Sequence, residues 1–273
     1  MPITPTAAPL TSRSVITAGG PDWRNFLQGL LTQDVETLAP GEARFAALLT
    51  PQGRLLFDLF VTGDEQGCLI ECVAAQRDAL IQRLLIYRLR AKVEIAPDDR
   101  AVWALWGAPM AGPGWIRDPR LPNLGFRRYG GAAPDGVTEK DEAAYDAHRL
   151  GLGVPGSADW GSDAVYPIEA NFDLLGGIDF KKGCYVGQET TSRMKRRGTL
   201  KSRMAPITFD GPPPVGAELL AGDRRAGEVL SGGPGRAMAM LRLDRLDGEP
   251  RTLADGRPWR PDLPPWMTAD GDP

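Results

Sequence analysis

One thiol in this 273-residue chain has a setting that suggests chemistry. Cys184 stands in the run Lys182-Gly183-Cys184-Tyr185-Val186-Gly187-Gln188-Glu189. The bracketing glycines predict a tight turn, where the backbone takes unusual angles or comes close to a ligand. Lys181 and Lys182 would favour the thiolate if their side chains converged on it. A thiolate can bind a soft metal, carry a persulfide or form a mixed disulfide. The other two cysteines, Cys68 and Cys72, share one face of a predicted strand with Ile70 and are expected to be packed. Three cysteines and a single histidine, His148, offer no ligand spacing for a metal, so no resident metal site is predicted.

Charge is the second signal. Between Lys181 and Arg203 eight basic residues stand against one acid, Glu189, a local +7 in a chain whose net charge is −3. The acidic whole argues against a general nucleic-acid binder. The basic run is either a solvated face or a surface for something anionic.

The elements that must position these groups are legible in outline. Asp22 should open a helix in which Trp23, Phe26, Leu27 and Leu30 share a buried face. Phe45 to Leu49 and Arg54 to Val61, joined by Thr50-Pro51-Gln52-Gly53, predict a hairpin or adjacent strands. Cys68 to Val73 is a third strand, and Ala74 to Arg90 an amphipathic helix. A strand pair is expected around Val93–Ile95 and Ala101–Trp106, followed by a Gly/Pro-rich passage from Gly107 to Pro122. Thr138 and Asp141 resemble a capping box for a helix ending at a left-handed Gly151. Ala205 to Met240 reads as short strands split by Gly/Pro turns, hence a small barrel or sandwich. The proline-rich tail from Gly248 is expected to lie on the surface or fray. Composition is ordinary for a globular chain, with 42% hydrophobic and 25% charged residues. No stretch approaches the ~20 apolar residues of a membrane helix. Met1 to Leu10 has no basic patch leading into an apolar run, so a cytoplasmic protein is expected.

The octapeptide at Lys182 resembles the hallmark of the YgfZ family, whose members help iron–sulfur enzymes mature and are similar to the glycine-cleavage T protein, an aminomethyltransferase. Phe26 to Val35, Gln52 to Asp58 and Pro167-Ile168-Glu169-Ala170 resemble further family segments in the same order, and the likeness spans roughly residues 14 to 245. It implies an α+β fold of two interleaved lobes, residues 1–200, and a C-terminal β-barrel with its tail, 201–273, in a ring of three domains. It implies tetrahydrofolate as cofactor, with Glu169, Arg193, Tyr185 and Gln188 as binding residues, Cys184 and Asp58 as catalytic ones, and iron–sulfur client or scaffold proteins as partners. Arg193, Arg196 and Arg197 could meet the folate tail or an acidic partner. The transferase carries two adjacent aspartates where this chain has Phe57-Asp58, and it lacks the cysteine signature. Three readings follow: a tetrahydrofolate-binding factor for assembly or repair of [4Fe–4S] clusters, a folate-dependent one-carbon transferase, and a passive binding module whose Cys184 is structural.

Overall fold

The computed structural model describes residues 4–198 and 200–268. The chain opens with two strands, β1 (Thr6–Pro9) and β2 (Arg13–Gly19), that go to different sheets. Strand β2 joins β3 (Ala43–Leu49), β4 (Leu55–Gly63), β5 (Gly67–Val73) and β6 (Glu94–Asp98) in an antiparallel sheet of order β3-β4-β5-β2-β6. Strand β1 joins β7 (Val102–Trp106), β8 (Ile116–Arg117), β9 (Phe126–Tyr129) and β10 (Thr138–Glu139) in the order β10-β1-β7-β9-β8, with β1 and β10 parallel. This exchange of the first strand interleaves the two lobes. The expected strand pair near residue 100 is therefore corrected: β6 pairs with β2 in one sheet and β7 with β1 in the other.

Helix α1 (Trp23–Gln28) buries Trp23, Phe26 and Leu27, and α2 (Arg77–Arg88) buries Leu80 and Leu84. They pack with Ile70, Cys68 and Cys72 of β5 in one apolar cluster, so the period-two placement of those thiols is met. Burial pushes the Cys68 thiol up to about 12 and raises that of Cys72 as well. Helix α3 (Glu142–Gly151) is capped by Asp141 alone, whose carboxylate accepts from Ala144 N, while Thr138 lies in β10. Its end also differs from expectation: Leu152 caps it in a right-handed conformation, and the left-handed glycine is Gly153.

Short α4 (Ser157–Trp160) and α5 (Gln188–Arg197) precede the last unit. Six strands, β11 (Ser202–Phe209), β12 (Glu218–Ala221), β13 (Arg224–Gly233), β14 (Arg236–Arg242), β15 (Arg251–Leu253) and β16 (Trp259–Pro261), form a sheet of order β15-β12-β13-β14-β11-β16. A bridge from Thr252 to Pro258 nearly closes it into a barrel. The expectation of a frayed tail is corrected here. Two short strands of that tail complete the barrel, and Trp259 is 1% exposed inside it. Burying an indole of that size outweighs the poor strand chemistry of its proline-rich flanks. The tail beyond Thr268 lies outside the described residues.

Candidate functional site

The signature residues form an exposed turn leading into α5, held at both ends. On its N-terminal side, Asp179 Oδ1 accepts from the backbone N–H of Lys181 (2.7 Å) and Lys182 (3.2 Å). Lys182 then folds inward, and its ammonium donates to the carbonyls of Gln28 (2.8 Å), Leu31 (2.7 Å) and Gln33 (3.0 Å). Gln28 ends α1, so one of those carbonyls is a helix-terminal orphan that needs a donor. Three more bonds stitch the same segments: Thr32 Oγ1 to Gly177 O and Gln33 Nε2 to Gly176 O, both 2.6 Å, and Asp179 N to Thr32 O at 2.9 Å. An ammonium has three protons, and all are spent on backbone. The expectation that Lys182 supports a Cys184 thiolate is thus corrected. Burial lowers the Lys182 pKa to about 8, against the pull of Asp34 and Asp179.

On the C-terminal side the turn rests on the β3–β4 hairpin. Gly187 has φ +81°, and a Cβ there would stand 2.6 Å from Thr50 O and 3.0 Å from Gly53 Cα. Gly53, at φ +86°, faces the same contact, 2.8 Å from Thr190 Cβ. Two left-handed glycines therefore let two backbone turns touch. Gly183 has open space around it and needs no such freedom. Tyr185 is buried in the core between the lobes and the barrel, with the Lys182 ammonium 5.4 Å from its ring centroid. Cys184, between the two anchors, is exposed, whereas Cys68 and Cys72 are buried.

A second site lies in the middle of the molecule. A cavity of about 1090 Å³ is lined by Arg13, Asp58 and Phe60 of the first lobe, Arg120 and Arg127 of the second, α3, α4 and the β13–β14 turn of the barrel. Its floor is a buried ionic network. Arg13 bonds Asp58 and Glu71, both at 2.7 Å; Arg127 bonds Glu71 at 2.6 Å and Asp118 at 3.1 Å; Arg120 bonds Asp118 at 2.8 Å. Tyr129 Oη donates to Glu71, and the Tyr145 hydroxyl accepts from Arg120 and Arg127. The Phe60 ring faces guanidinium carbons of Arg127 at 3.7 Å, Arg120 at 4.8 Å and Arg13 at 5.6 Å. Three cations and three acids balance. Burial alone would raise the Asp118 carboxyl, but Arg120 and Arg127 hold it down to about 2. Burial alone would likewise depress Arg13, yet Asp58 and Glu71 raise it. Asp58 also accepts from Ser157 Oγ at 3.0 Å, while its Oδ1 and the Nη2 of Arg13 are buried without a protein partner.

The residues singled out in the sequence thus fall into separate places. Asp58 lines the cavity; Cys184, Tyr185, Gln188 and Arg193 belong to the turn and α5, away from that lining. Glu169 does not line the cavity either. Its carboxylate closes a turn by accepting from Tyr166 N (2.9 Å), and its carbonyl accepts from Met204 N (2.8 Å) at the start of the barrel. The network of Arg13, Glu71, Asp118, Arg120 and Arg127 was missed by sequence reasoning. Its signal was available in Asp58 and Glu71, acids set inside apolar strand runs, where a charge must be paired.

The three units around the cavity form an aminomethyltransferase-like fold with an exposed cysteine turn on its outside. The structure is similar to the glycine cleavage system aminomethyltransferase T from Bartonella henselae, with a TM-score of 0.80 over 96% of this chain and 86% of that one, at 18% identity. Residues 201–269 match the family model "CAF17, C-terminal beta-barrel domain". In sequence, the chain is 31% identical to the human "Iron-sulfur cluster assembly factor IBA57, mitochondrial", covering 88% of this chain and 78% of the human one. It is 31% identical to the Neurospora crassa homologue over 90% of this chain and 61% of that protein, and 37% identical to the Phaeosphaeria nodorum homologue over 74% and 55%. The chain belongs to the IBA57 family of iron–sulfur cluster assembly factors. It spans only about three fifths of the length of these two fungal relatives. The expectation of a cytoplasmic protein is corrected by these relatives, each of which is named as mitochondrial.

Proposed function

We propose that this protein assists the assembly or repair of [4Fe–4S] clusters in client enzymes, with Cys184 as the group that meets iron or sulfur. The observation that carries the reading is the contrast among its thiols: two are buried in the core, and the third is exposed on a turn fixed at both ends. A single accessible thiol suits a transient bond to a cluster, a persulfide or a mixed disulfide. The names of the relatives support the same role. The resemblance of the cysteine signature to the YgfZ hallmark supports a kinship with that family, and the barrel match over 201–269 supports a division into a folate-binding region, 1–200, and a barrel with its tail, 201–273.

Tetrahydrofolate is the proposed cofactor, and the cavity suits it. Ligand sites commonly enclose about 300–1,000 Å³, and this one offers about 1090 Å³. A pterin has a donor edge from which Asp58 can accept, Leu10, Leu150 and Trp160 supply apolar walls, and Arg236 supplies a cation for an acidic tail. The folate roles of Glu169, Arg193, Tyr185 and Gln188 rest on the family resemblance alone.

The test is a host lacking this protein, scored for several [4Fe–4S] enzymes. Cys184→Ser should fold normally and leave those enzymes deficient; full rescue overturns the thiol's role. Calorimetry with tetrahydrofolate tests the cofactor. Weakening by ~1–3 kcal/mol in Asp58→Asn, with Glu169→Ala unchanged, assigns folate to the cavity. The reverse pattern moves it toward Glu169, and no binding by the native chain removes it.

A further inference from the structure

We infer that the exposed end of α2 is a docking tip for an anionic lipid bilayer. Two apolar side chains stand out from it into water: Ile86 is 67% exposed and Leu89 89%. Their spacing of three residues puts both on one side of the helix end. The other exposed large apolar residues, Met110, Phe180, Val215 and Leu263, are far apart in the chain. Leu89 closes the helix at φ +44°, a left-handed conformation that favours glycine. One position thus carries both backbone strain and an unburied leucine, and neither helps the fold. Four bases frame the pair: Arg83, half-buried, and the exposed Arg88, Arg90 and Lys92. No acid stands between Gln82 and Val93.

The neighbouring acids leave that basic surplus in place. Asp22, before α1, has one carboxylate oxygen engaged by the Lys92 backbone N–H at 2.7 Å. Asp78 sits in the first turn of α2, about 16 Å from Leu89 at the rise of a helix. Glu94 follows on β6 and offsets one base of the four. Side chains as exposed as Ile86 and Leu89 project rather than line a groove, so the partner must receive them. A bilayer does so by yielding: its acyl tails take the two apolar side chains, and its anionic headgroups meet the four bases. The long stems of arginine and lysine let the charges stay at headgroup level while the leucine goes deeper. A stable protein interface takes about 20–30 residues a side, far more than the six of this tip. No helix of the described residues is long and apolar enough to cross a membrane, so the contact is one of the interface alone. None of the six residues lines the central cavity, and the inference does not depend on the cluster-assembly reading.

The experiment is co-sedimentation of the full chain with vesicles of phosphatidylcholine and phosphatidylserine, beside vesicles of phosphatidylcholine alone. The mixed vesicles should take up the chain about tenfold or more strongly than the neutral ones. I86S/L89G, which also relieves the strained turn, should weaken that uptake about tenfold. R88E/R90E/K92E should weaken it at least as much, by about tenfold or more. Val215→Ser, which removes an exposed apolar side chain from the barrel, should leave uptake unchanged. All these positions are exposed, and melting curves check that each variant is folded. Uptake unchanged in I86S/L89G, or lost equally in Val215→Ser, overturns the proposal. So does uptake that survives both tip variants and disappears in R193E/K195E/R196E, which moves the lipid contact to α5. Tighter binding to a fluorescent oligoglutamate peptide than to the vesicles, lost in I86S/L89G, overturns it in favour of an acidic protein partner.

Discussion

The central cavity and the cysteine turn are built by opposite means. Around the cavity, charges are buried and satisfied by other charges: three guanidiniums, three carboxylates and the face of Phe60. At the turn, backbone groups and close-packed glycines do most of the holding, with two half-buried charges, Lys182 and Asp179, each bonded to backbone. The first arrangement tolerates little change at any member, since removing one ion strands another. The second fixes the path of the chain while leaving its reactive side chain uncommitted. A scaffold of the first kind can therefore be kept while a site of the second kind is set on its outer surface.

The largest way to break this contrast is at Arg127. Arg127→Met leaves Glu71 and Asp118 each short of a cation, and loss of one partner from a buried pair costs about 3–5 kcal/mol. Urea unfolding should show that loss; a change below about 1 kcal/mol would mean that the network behaves as a surface one. The turn should respond less and unevenly. Gly187→Ala puts a Cβ against Thr50 O in a left-handed conformation, for a cost of about 1–3 kcal/mol. Gly183→Ala meets open space and should stay within about 0.5 kcal/mol. Equal effects at the two glycines would contradict the packing of Gly187 on Gly53.

The smallest effect separates the regions by pH. Asp118 is held at about 2 against an ordinary 3.8, so its stabilisation is present above about pH 4 and lost as the pH falls toward 2. Lys182 gives a slope of the same sign at the other end of the pH range. Its pKa is lowered from 10.5 to about 8, so between these values the unfolded chain binds more protons and stability rises with pH. Melting curves of the wild type and Lys182→Met should therefore diverge in slope above about pH 8 and agree in slope near pH 3.

The cysteine turn was legible because its residues are contiguous and their spacing carries the geometry. Even so, the sequence reading assigned Lys182 to the thiol, since nothing local reveals that its ammonium reaches back to carbonyls of residues 28–33. The ionic network was illegible for the complementary reason. Arg13, Asp58, Glu71, Asp118, Arg120 and Arg127 lie on segments that only the tertiary fold brings together; Asp58 and Glu71 stand out inside apolar runs, but nothing local names their partners. Sheet membership failed similarly: β6 and β7 are neighbours in the chain but belong to different lobes. The tail strands are three residues each, too short for a period to show, and only Leu253 and Trp259 betray them.

The interleaved first strand has a bearing on how the protein is made. During synthesis β1 leaves the ribosome before the first sheet, yet its antiparallel partner β7 appears only after that whole sheet has been translated. Until then Ala7 and Ala8, fully buried in the finished molecule, have nowhere to dock, while β2 a few residues later is already paired with β5. The nascent chain must hold β1 unpaired until the second lobe has been made. A chain that lacks residues 4–9 should therefore lose the second lobe while the first remains able to pair.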